Sequence, residues 1–317
     1  MALQPDALVE RAVAGDRGAV AKLISIVEAG GPRSFEVAAM LHPHTGRAYT
    51  IGLTGAPGAG KSSLTDALIS RIRKDGDEVG VVAIDPTSPF TGGAILGDRV
   101  RMQEHATDRG VYIRSMATRG HLGGLALATP QAVRVLDAAG KPWIIIETVG
   151  VGQVEVEIVG TADTTVVVVN PGWGDGVQAN KAGLMEIADI FVINKADRKG
   201  TEETRRDLEQ MLELSDLAPD DWRPPIVAAV AIERKGIDEL WATVLRHREH
   251  IESSGELARR REFRLREELR EIVARRLEQR AREIVTPDRW ADLQQGVLAR
   301  TVDPWSAADE LLRNVGA

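Results

Sequence analysis

The stretch Gly55-Ala56-Pro57-Gly58-Ala59-Gly60-Lys61-Ser62-Ser63 decides the fold of this chain. It follows an apolar run at residues 49–53, typical of a strand, and it opens a run at residues 62–73 with helical spacing. A Gly-x-x-x-x-Gly-Lys-Ser pattern between a strand and a helix binds phosphate, because glycine lets backbone N–H groups approach an anion closely. Lys61 is expected at the β- and γ-phosphates of a nucleotide, and the Ser62 hydroxyl at Mg²⁺. A glycine-rich turn without a ligand is the alternative.

Composition bounds the class of protein. The 317 residues are 43% hydrophobic and 27% charged, which fits a globular domain of about 200 residues with additional segments. The net charge of −7 gives no electrostatic argument for a nucleic acid or an anionic membrane as partner. The absence of cysteine excludes disulfides, thiolate catalysis and cysteine zinc sites. Since neither a signal-peptide pattern nor an apolar run of about 20 residues is present, we expect a cytoplasmic protein without a membrane span.

Strand-like and helix-like runs alternate through most of the chain. The strand-like runs are residues 49–53, 79–84, 111–114, 143–146, 164–169, 190–193 and 226–231, and the main helical runs are residues 130–139, 178–188, 202–214 and 237–251. Several strands are unbroken β-branched runs, typical of a sheet buried on both faces and therefore parallel. We predict an α/β P-loop NTPase core with a doubly wound, mostly parallel sheet. Ligands of such folds bind beyond the carboxyl ends of the strands.

Helical segments are expected to flank this core. We predict an N-terminal helical segment over residues 1–46, a nucleotide-binding domain over 47–252 and a C-terminal helical arm over 253–317. His42 and His44 precede the first strand, but no third ligand is near, so a structural or solvated role is favoured over a metal site. In the arm, acids are almost as numerous as bases, which favours a solvated helix with one packing stripe over a nucleic-acid surface. Its length makes it a candidate dimerisation element.

Base selection is predicted by Asn194-Lys195-Ala196-Asp197, which follows a strand-like run. Asp197 can accept hydrogen bonds from N1–H and the 2-amino group of guanine, whereas adenine would face it with an unpaired acceptor. A buried unsatisfied polar group costs about 1–3 kcal/mol, so the position favours GTP and GDP over ATP. Asn194 would tie this loop to the phosphate loop, and the stem of Lys195 would pack on the base.

Acidic residues end two other strand-like runs, where a metal beside the phosphates is expected. Glu147 ends an apolar run, and Gly150, three residues later, is placed to sense the γ-phosphate. Asp85 ends the second run and can hold Mg²⁺ directly or through water, although Asp-Pro also forms simple turns. Gln153 is the nearest side chain that can orient an attacking water.

Two further glycine-rich stretches, at residues 119–124 and 171–176, contain more glycine than loop closure requires. This density is typical of loops whose conformation follows the bound nucleotide. We interpret both as switch loops.

Four strings, in this order, resemble one family, the methylmalonyl-CoA mutase-associated GTPases (the MeaB family, formerly labelled ArgK). They are GLTGAPGAGKS at 52–62, AIDPTS at 83–88, MATRGHLGG at 116–124 and ETVGVGQ at 147–153. The likeness spans about residues 7–245, and the C-terminal arm fits more loosely. It implies a SIMIBI-class P-loop GTPase that forms a homodimer through C-terminal helices. Such a GTPase serves an adenosylcobalamin-dependent acyl-CoA mutase, gating cofactor loading and protecting or reactivating the mutase, with GTP hydrolysis as the switch.

The resemblance also implies residue roles. The positions carried over are Lys61, Ser62, Asp85 and Glu147 for phosphate and metal, Asn194, Lys195 and Asp197 for guanine, and Asp175, Gln178 and Lys181 for a switch that links nucleotide state to the mutase. The base loop departs from the family, because Val230-Ala231-Ile232 stands where Ser-Ala is usual. The Ala231 N–H can still reach guanine O6, but a hydroxyl is missing. Trp173 and Gly176 also differ from the smaller and acidic residues common in that switch.

Two other functions stay open. A metallochaperone GTPase of the same class would need a His-rich or Cys-containing tract, and the six histidines are scattered. A kinase for a transport protein, as the older family label implies, would need an acceptor site and a catalytic base, and neither is evident.

Overall fold

The computed structural model describes residues 4–85, 103–105, 107–117, 122–148, 162–172, 186–214, 218 and 221–312; of residues 85, 103, 117, 122–127 and 287 it describes the backbone alone. The helices are α1 (Pro5–Val13), α2 (Arg17–Ala29), α3 (Pro32–Leu41), α4 (Lys61–Lys74), α5 (Leu122–Ala138), α6 (Thr201–Glu213), α7 (Ile237–Ser253), α8 (Glu256–Ile284), α9 (Pro287–Leu298) and α10 (Pro304–Leu312). The strands are β1 (Tyr49–Gly55), β2 (Val79–Asp85), β3 (Val111–Ala117), β4 (Trp143–Thr148), β5 (Thr164–Val169), β6 (Ile190–Asn194) and β7 (Ile226–Ala229).

The described strands form one seven-stranded sheet in the order β3-β2-β4-β1-β5-β6-β7. All of its pairings are parallel. The predicted doubly wound parallel α/β fold is confirmed. Strand β1 lies between β4 and β5. The connection that follows β1 runs to one side of the sheet, towards β2, whereas the connection that follows β5 runs to the other side, towards β6. The loop that follows β1 therefore opens at the position where parallel α/β sheets bind their ligands.

Helices α4 and α7 cover one face of the sheet. Ile51 and Leu53 of β1 point to this face, where they join Leu68 of α4 and Trp241 of α7 in one fully buried cluster. Burial of side chains of this size stabilises the fold by about 1.5–3 kcal/mol each, before the conformational entropy they lose is counted. This packing fixes the start of α4, and with it the loop that precedes α4.

The N-terminal helices cover the opposite face together with α5. Val20 and Leu23 of α2 lie in a buried cluster with Leu136 of α5 and Ile144 of β4. The carboxylate of Asp16 begins α2 by accepting hydrogen bonds from two backbone N–H groups of its first turn, an N-terminal cap that satisfies donors without helical partners. The N-terminal segment is thus packed on the sheet.

One helix begins earlier than the sequence predicts. The helical pattern predicted a helix from residue 130, but α5 starts at Leu122 and contains Pro130. Gly123 and Gly124 have low helix propensity, so the sequence pattern gives no helical signal for the first turns of α5. Strand β7 ends at Ala229, two residues before the predicted end, because the chain turns there into the loop that follows.

The chain divides into two compact units at the boundary between Ala258 and Arg259. In the second unit, α8 carries ion pairs four residues apart, such as Arg275 with Glu271 and Arg282 with Glu278. Large apolar side chains of α8 are exposed, among them Phe263 and Leu269.

Neither a membrane span nor a metal cluster is found within these ranges. In the part of the chain that the structure describes, no helix combines the length and hydropathy of a membrane span. In the same part, His, Cys, Asp and Glu side chains form no group of three or more suited to a metal ion.

Candidate nucleotide site

The phosphate loop joins β1 to α4, as the sequence predicts. Gly55, Gly58 and Gly60 have φ values of 134°, 75° and 91°, a region that residues with a Cβ rarely adopt. A Cβ on Gly55 would lie 2.0 Å from the carbonyl oxygen of Val168 on the neighbouring strand β5. The glycines therefore allow both the curvature of the loop and its close contact with the sheet. The loop leads directly into the start of α4, and the N-terminus of a helix favours a bound anion.

Lys61 is the first residue of α4 and is only 5% exposed. Its Nζ donates hydrogen bonds to the carbonyl oxygens of Gly55, at 2.5 Å, and of Ala56, at 3.1 Å. The ammonium group is therefore held at the carbonyl oxygens of the phosphate loop, within the motif that the sequence assigns to phosphate binding.

Glu147 lies beside the phosphate loop with no exposed surface. The Ser62 hydroxyl donates to its Oε1 at 2.6 Å, and the Thr65 hydroxyl donates to its Oε2 at 2.7 Å. Two of the residues expected around a metal are thus in contact. Thr65 was missed by the sequence analysis, and its only signal is the position three residues after Ser62, on the same face of a helix.

Asn194 connects three loops. Its Nδ2 donates to the carbonyl oxygen of Ala59 at 2.8 Å, which is the tie to the phosphate loop expected from the sequence. Its Oδ1 accepts a hydrogen bond from the backbone N–H of Ala231 at 3.1 Å. The same N–H is the one expected at guanine O6, so a base that bonds to it must share it with Asn194. The neighbouring Ile232 is 82% exposed, and Val230 pairs with Lys235 in a short bridge.

Lys195 and Asp197 project from the loop after β6. Lys195 has a φ of 59°, and its Nζ donates to the carbonyl oxygen of Gly58 at 2.6 Å. Its aliphatic stem therefore runs past the phosphate loop. The Ala196 N–H donates to Ala229 at the end of β7, which fixes the loop. Asp197 is exposed, so its carboxylate is accessible to a base.

The contact between Gly60 and Asn194 gives a testable prediction. A Cβ on Gly60 would lie 2.3 Å from Nδ2 of Asn194, whereas one on Gly58 meets nothing within 4 Å. Both glycines have left-handed φ values, so both alanine variants suffer backbone strain of about 1–2 kcal/mol. Only Gly60→Ala should also lose Asn194 contacts, adding about 1 kcal/mol. Urea unfolding of the two variants measures the difference, and equal unfolding free energies would contradict the role of the Asn194 tie.

Several predicted site residues lie outside the described ranges. These are Gly150, Gln153, Asp175, Gln178 and Lys181, together with the switch stretches apart from residues 122–124 and 171–172. Of Asp85 the structure describes the backbone, which ends β2 next to β4, the strand that carries Glu147. The sheet thus brings the chain at Asp85 and at Glu147 to the same edge.

A short helical turn, Gln103–His105, is bound to the phosphate-loop helix. The Nε2 of His105 lies 3.1 Å from the carboxylate of Asp66 on α4. The carboxylate of Asp66 is the main cause that raises the pKa of His105 above 6.5, against the opposing effect of burial. Glu104 and Asp108 also carry negative charge near this imidazole. Glu104 in turn lies 3.6 Å from Arg234, next to the base loop.

This ion pair predicts a pH-dependent stability. Because the folded pKa of His105 is raised, its contribution is fully present below about pH 6.5, the unfolded value, and is lost as the pH rises through the folded pKa. We expect His105→Gln to be less stable than the native chain at about pH 5.5 and nearly equal at about pH 8.5. Urea unfolding at both values tests this, with the exposed His44→Gln as control. A stability difference that does not change with pH would refute the ion pair.

The fold and this site define a P-loop GTPase, in which a phosphate loop and an Asn-Lys-x-Asp loop meet at the carboxyl edge of a parallel sheet. The sequence model of the methylmalonyl-CoA mutase-associated GTPase MeaB family matches residues 20–286. The chain belongs to this family, as the resemblance in its sequence had indicated.

Individual proteins agree with this assignment. A Pyrococcus abyssi protein named as a GTPase is 53% identical over 312 residues, covering 98% of this chain and 96% of its own length. A Mus musculus protein, the mitochondrial methylmalonic aciduria type A homolog, is 34% identical, covering 81% of this chain and 66% of its own length. The crystal structure of an LAO/AO transport system kinase is similar with a TM-score of 0.73 and 25% identity, over 99% of this chain and 98% of that one.

Proposed function

We propose that this GTPase is a chaperone for an adenosylcobalamin-dependent acyl-CoA mutase, with methylmalonyl-CoA mutase as the favoured partner. In this role it gates loading of the cofactor onto the mutase and protects or reactivates the mutase, and GTP hydrolysis is the switch. The observation that carries the proposal is the match of residues 20–286 to a family described by its association with that mutase. The name of the mouse relative, which refers to methylmalonic aciduria, supports the same context.

In this proposal the nucleotide lies across the three loops that Asn194 connects, namely the phosphate loop, the loop at residues 194–197 and the base loop at residues 230–232. Residues 55–63 bind the phosphates through backbone N–H groups, and Lys61 neutralises charge on the β- and γ-phosphates. Asp197 accepts the two guanine donors, and Lys195 covers the base with its stem. Residues 230–232 contribute backbone contacts to guanine O6, without the hydroxyl that the family usually offers.

The residues near the γ-phosphate position fit Mg²⁺. This ion prefers oxygen ligands and is usually bound by one or two carboxylates together with phosphate oxygens and water. The hydroxyl of Ser62 and the carboxylate of Glu147 are such ligands and lie 2.6 Å apart, and Asp85 ends the strand next to β4. When bound, Mg²⁺ would neutralise charge that develops on the phosphates.

Hydrolysis is assigned to Lys61, Glu147 and Gln153, of which Gln153 would orient the attacking water. Intrinsic hydrolysis should be slow, because no arginine finger is identified and the offset of Gln153 from Gly150 differs from that in small signalling GTPases. The switch that reports nucleotide state to the mutase is assigned to Asp175, Gln178 and Lys181.

The C-terminal arm, residues 253–317, is assigned to homodimer formation. Its long helix α8 exposes large apolar side chains, including Phe263, Leu269 and Val273. A helix with such a face usually packs against another protein surface. We accordingly divide the chain into an N-terminal helical segment at residues 1–46, a GTPase domain at residues 47–252 and this dimerisation arm at residues 253–317.

Two alternative functions remain, and the experiment below distinguishes them from the chaperone role. The name of the structural relative, an LAO/AO transport system kinase, favours a transport-system kinase, which requires an acceptor protein. A metallochaperone GTPase requires a metal tract; the chain has no cysteine, and within the described ranges no cluster of three potential ligands occurs.

The experiment that tests the proposal is the GTP hydrolysis rate with and without a candidate acyl-CoA mutase. We expect slow hydrolysis by the chain alone and a clear rise when methylmalonyl-CoA mutase is added. Lys61→Ala with the same mutase is the control for contaminating activity. Active hydrolysis that no acyl-CoA mutase changes, or phosphate transfer to a protein acceptor, would overturn the chaperone role.

A further inference from the structure

Glu147 is held by hydroxyl groups on both of its carboxylate oxygens. The donors are Ser62, at 2.6 Å from Oε1, and Thr65, at 2.7 Å from Oε2. They are three residues apart on α4, so they face the same side of the helix. Thr65 and Glu147 have no exposed surface, and Ser62 is 7% exposed. The carboxylate is therefore clamped between one helix and the sheet, away from bulk water.

The two hydroxyls are not equivalent with respect to the phosphates. Ser62 directly follows Lys61 in the phosphate loop motif, whereas Thr65 lies about 4.5 Å further along the helix axis. Ser62 can therefore bind a metal and also donate a hydrogen bond to Glu147. Thr65 donates only to Glu147, from the side away from the phosphates. The glutamate side chain has three rotatable bonds, so the carboxylate of Glu147 needs more than one contact to keep one orientation.

We propose that Thr65 is a positioning residue for the metal site: it fixes Oε2 of Glu147, so that Oε1 is directed to Ser62 and to a Mg²⁺ bound with the nucleotide. The inference rests on the proposed Mg²⁺ site. Residues that orient metal ligands in this way are the outer shell of a metal site, and their loss weakens metal binding about 10–100-fold. Thr65 does not touch the nucleotide in this proposal and acts through Glu147 alone.

A purely structural role makes a different prediction. If Thr65 only satisfies a buried carboxylate, its removal lowers stability and leaves the affinity for metal unchanged. If it positions Glu147, the loss falls on the metal, and nucleotide affinity measured without metal changes little. The two roles are therefore separated by comparing binding in the presence and in the absence of a divalent ion.

The test uses the full chain with Thr65→Val, which removes the hydroxyl at nearly constant shape, and Thr65→Ser, which keeps it. Binding of Mn²⁺ to the GDP complex is followed by electron paramagnetic resonance, and GDP affinity is measured in excess EDTA. We expect Thr65→Val to weaken Mn²⁺ binding about 10–100-fold and Thr65→Ser to restore it. GDP affinity in EDTA should stay within about twofold, since the loops that hold the base and phosphates are unchanged.

The possible outcomes are distinct. Thr65→Val that binds Mn²⁺ as well as the native chain does would overturn the inference and leave the metal site standing. A native GDP complex that binds no Mn²⁺ would overturn both. If Thr65→Val does not fold, Thr65→Ala provides the same comparison with a smaller side chain. If neither folds while Thr65→Ser does, the hydroxyl is a stability element and the positioning role is rejected.

Discussion

Lys61→Ala is expected to weaken GTP binding by at least about 100-fold, corresponding to about 3 kcal/mol or more. Lys61 is buried, and its ammonium group is held at the loop carbonyls of Gly55 and Ala56. We expect these donors to pass to phosphate oxygens in the complex, and a hydrogen bond to a charged group contributes about 1.5–3 kcal/mol. Alanine removes the positive charge and these donors together. Isothermal titration calorimetry with GTP measures the loss.

The matched control is Lys74→Ala, which removes the same charge from the exposed last residue of α4. We expect GTP affinity to stay within about twofold, because exposed charges at this distance are screened by salt. A Lys61→Ala protein that is folded and binds GTP like the native chain would show that the phosphate loop is not the nucleotide site.

Asp197→Asn is expected to reduce the preference for guanine over adenine nucleotides by about 100-fold. The carboxylate is exposed on a loop fixed by the Ala196–Ala229 hydrogen bond, so the substitution changes the base contact more than the fold. Asparagine replaces one acceptor oxygen by a donor that opposes the guanine donors, and two hydrogen bonds to a charged acceptor are together equivalent to about 3 kcal/mol. Competition of GTP and ATP for the site measures the ratio.

A nucleotide with a different base provides the internal control. Xanthine presents a carbonyl oxygen where guanine has the 2-amino group, so Asp197→Asn should gain affinity for xanthosine triphosphate as it loses affinity for GTP. Glu209→Gln, at an exposed position of α6, should change neither. A native chain that binds ATP and GTP equally would contradict base selection by Asp197 from the start.

The central part of the fold could be predicted because its strands are apolar on both faces. Residues 164–169 were assigned within their observed bounds, since a β-branched run of that length has few alternatives to a buried parallel strand. The start of α5 could not be predicted in this way. Gly123 and Gly124 weaken the helical pattern there, and Pro130 provides a false start signal.

In the site, too, residues of contiguous motifs could be predicted, whereas residues whose partners are distant in the sequence could not. Asn194 was recognised because its role belongs to a contiguous motif, and its hydrogen bond to Ala59 lies where that motif places it. Thr65 and His105 were missed because their partners, Glu147 and Asp66, are 82 and 39 positions away in the sequence. Pairing over such separations is set by the packing of helices on the sheet, which local periodicity does not encode.

The position of Asn194 limits how this protein can change its nucleotide preference. One amide bonds to Ala59 in the phosphate loop and to Ala231 in the base loop, and a Cβ on Gly60 would collide with it. A substitution that re-shapes the base loop for another purine therefore also disturbs the phosphate loop. Variants that change the base loop at residues 230–232 should therefore lose affinity for GTP and ATP alike. Asp197 is exposed and lies outside these contacts, so a change of base preference is expected to start there.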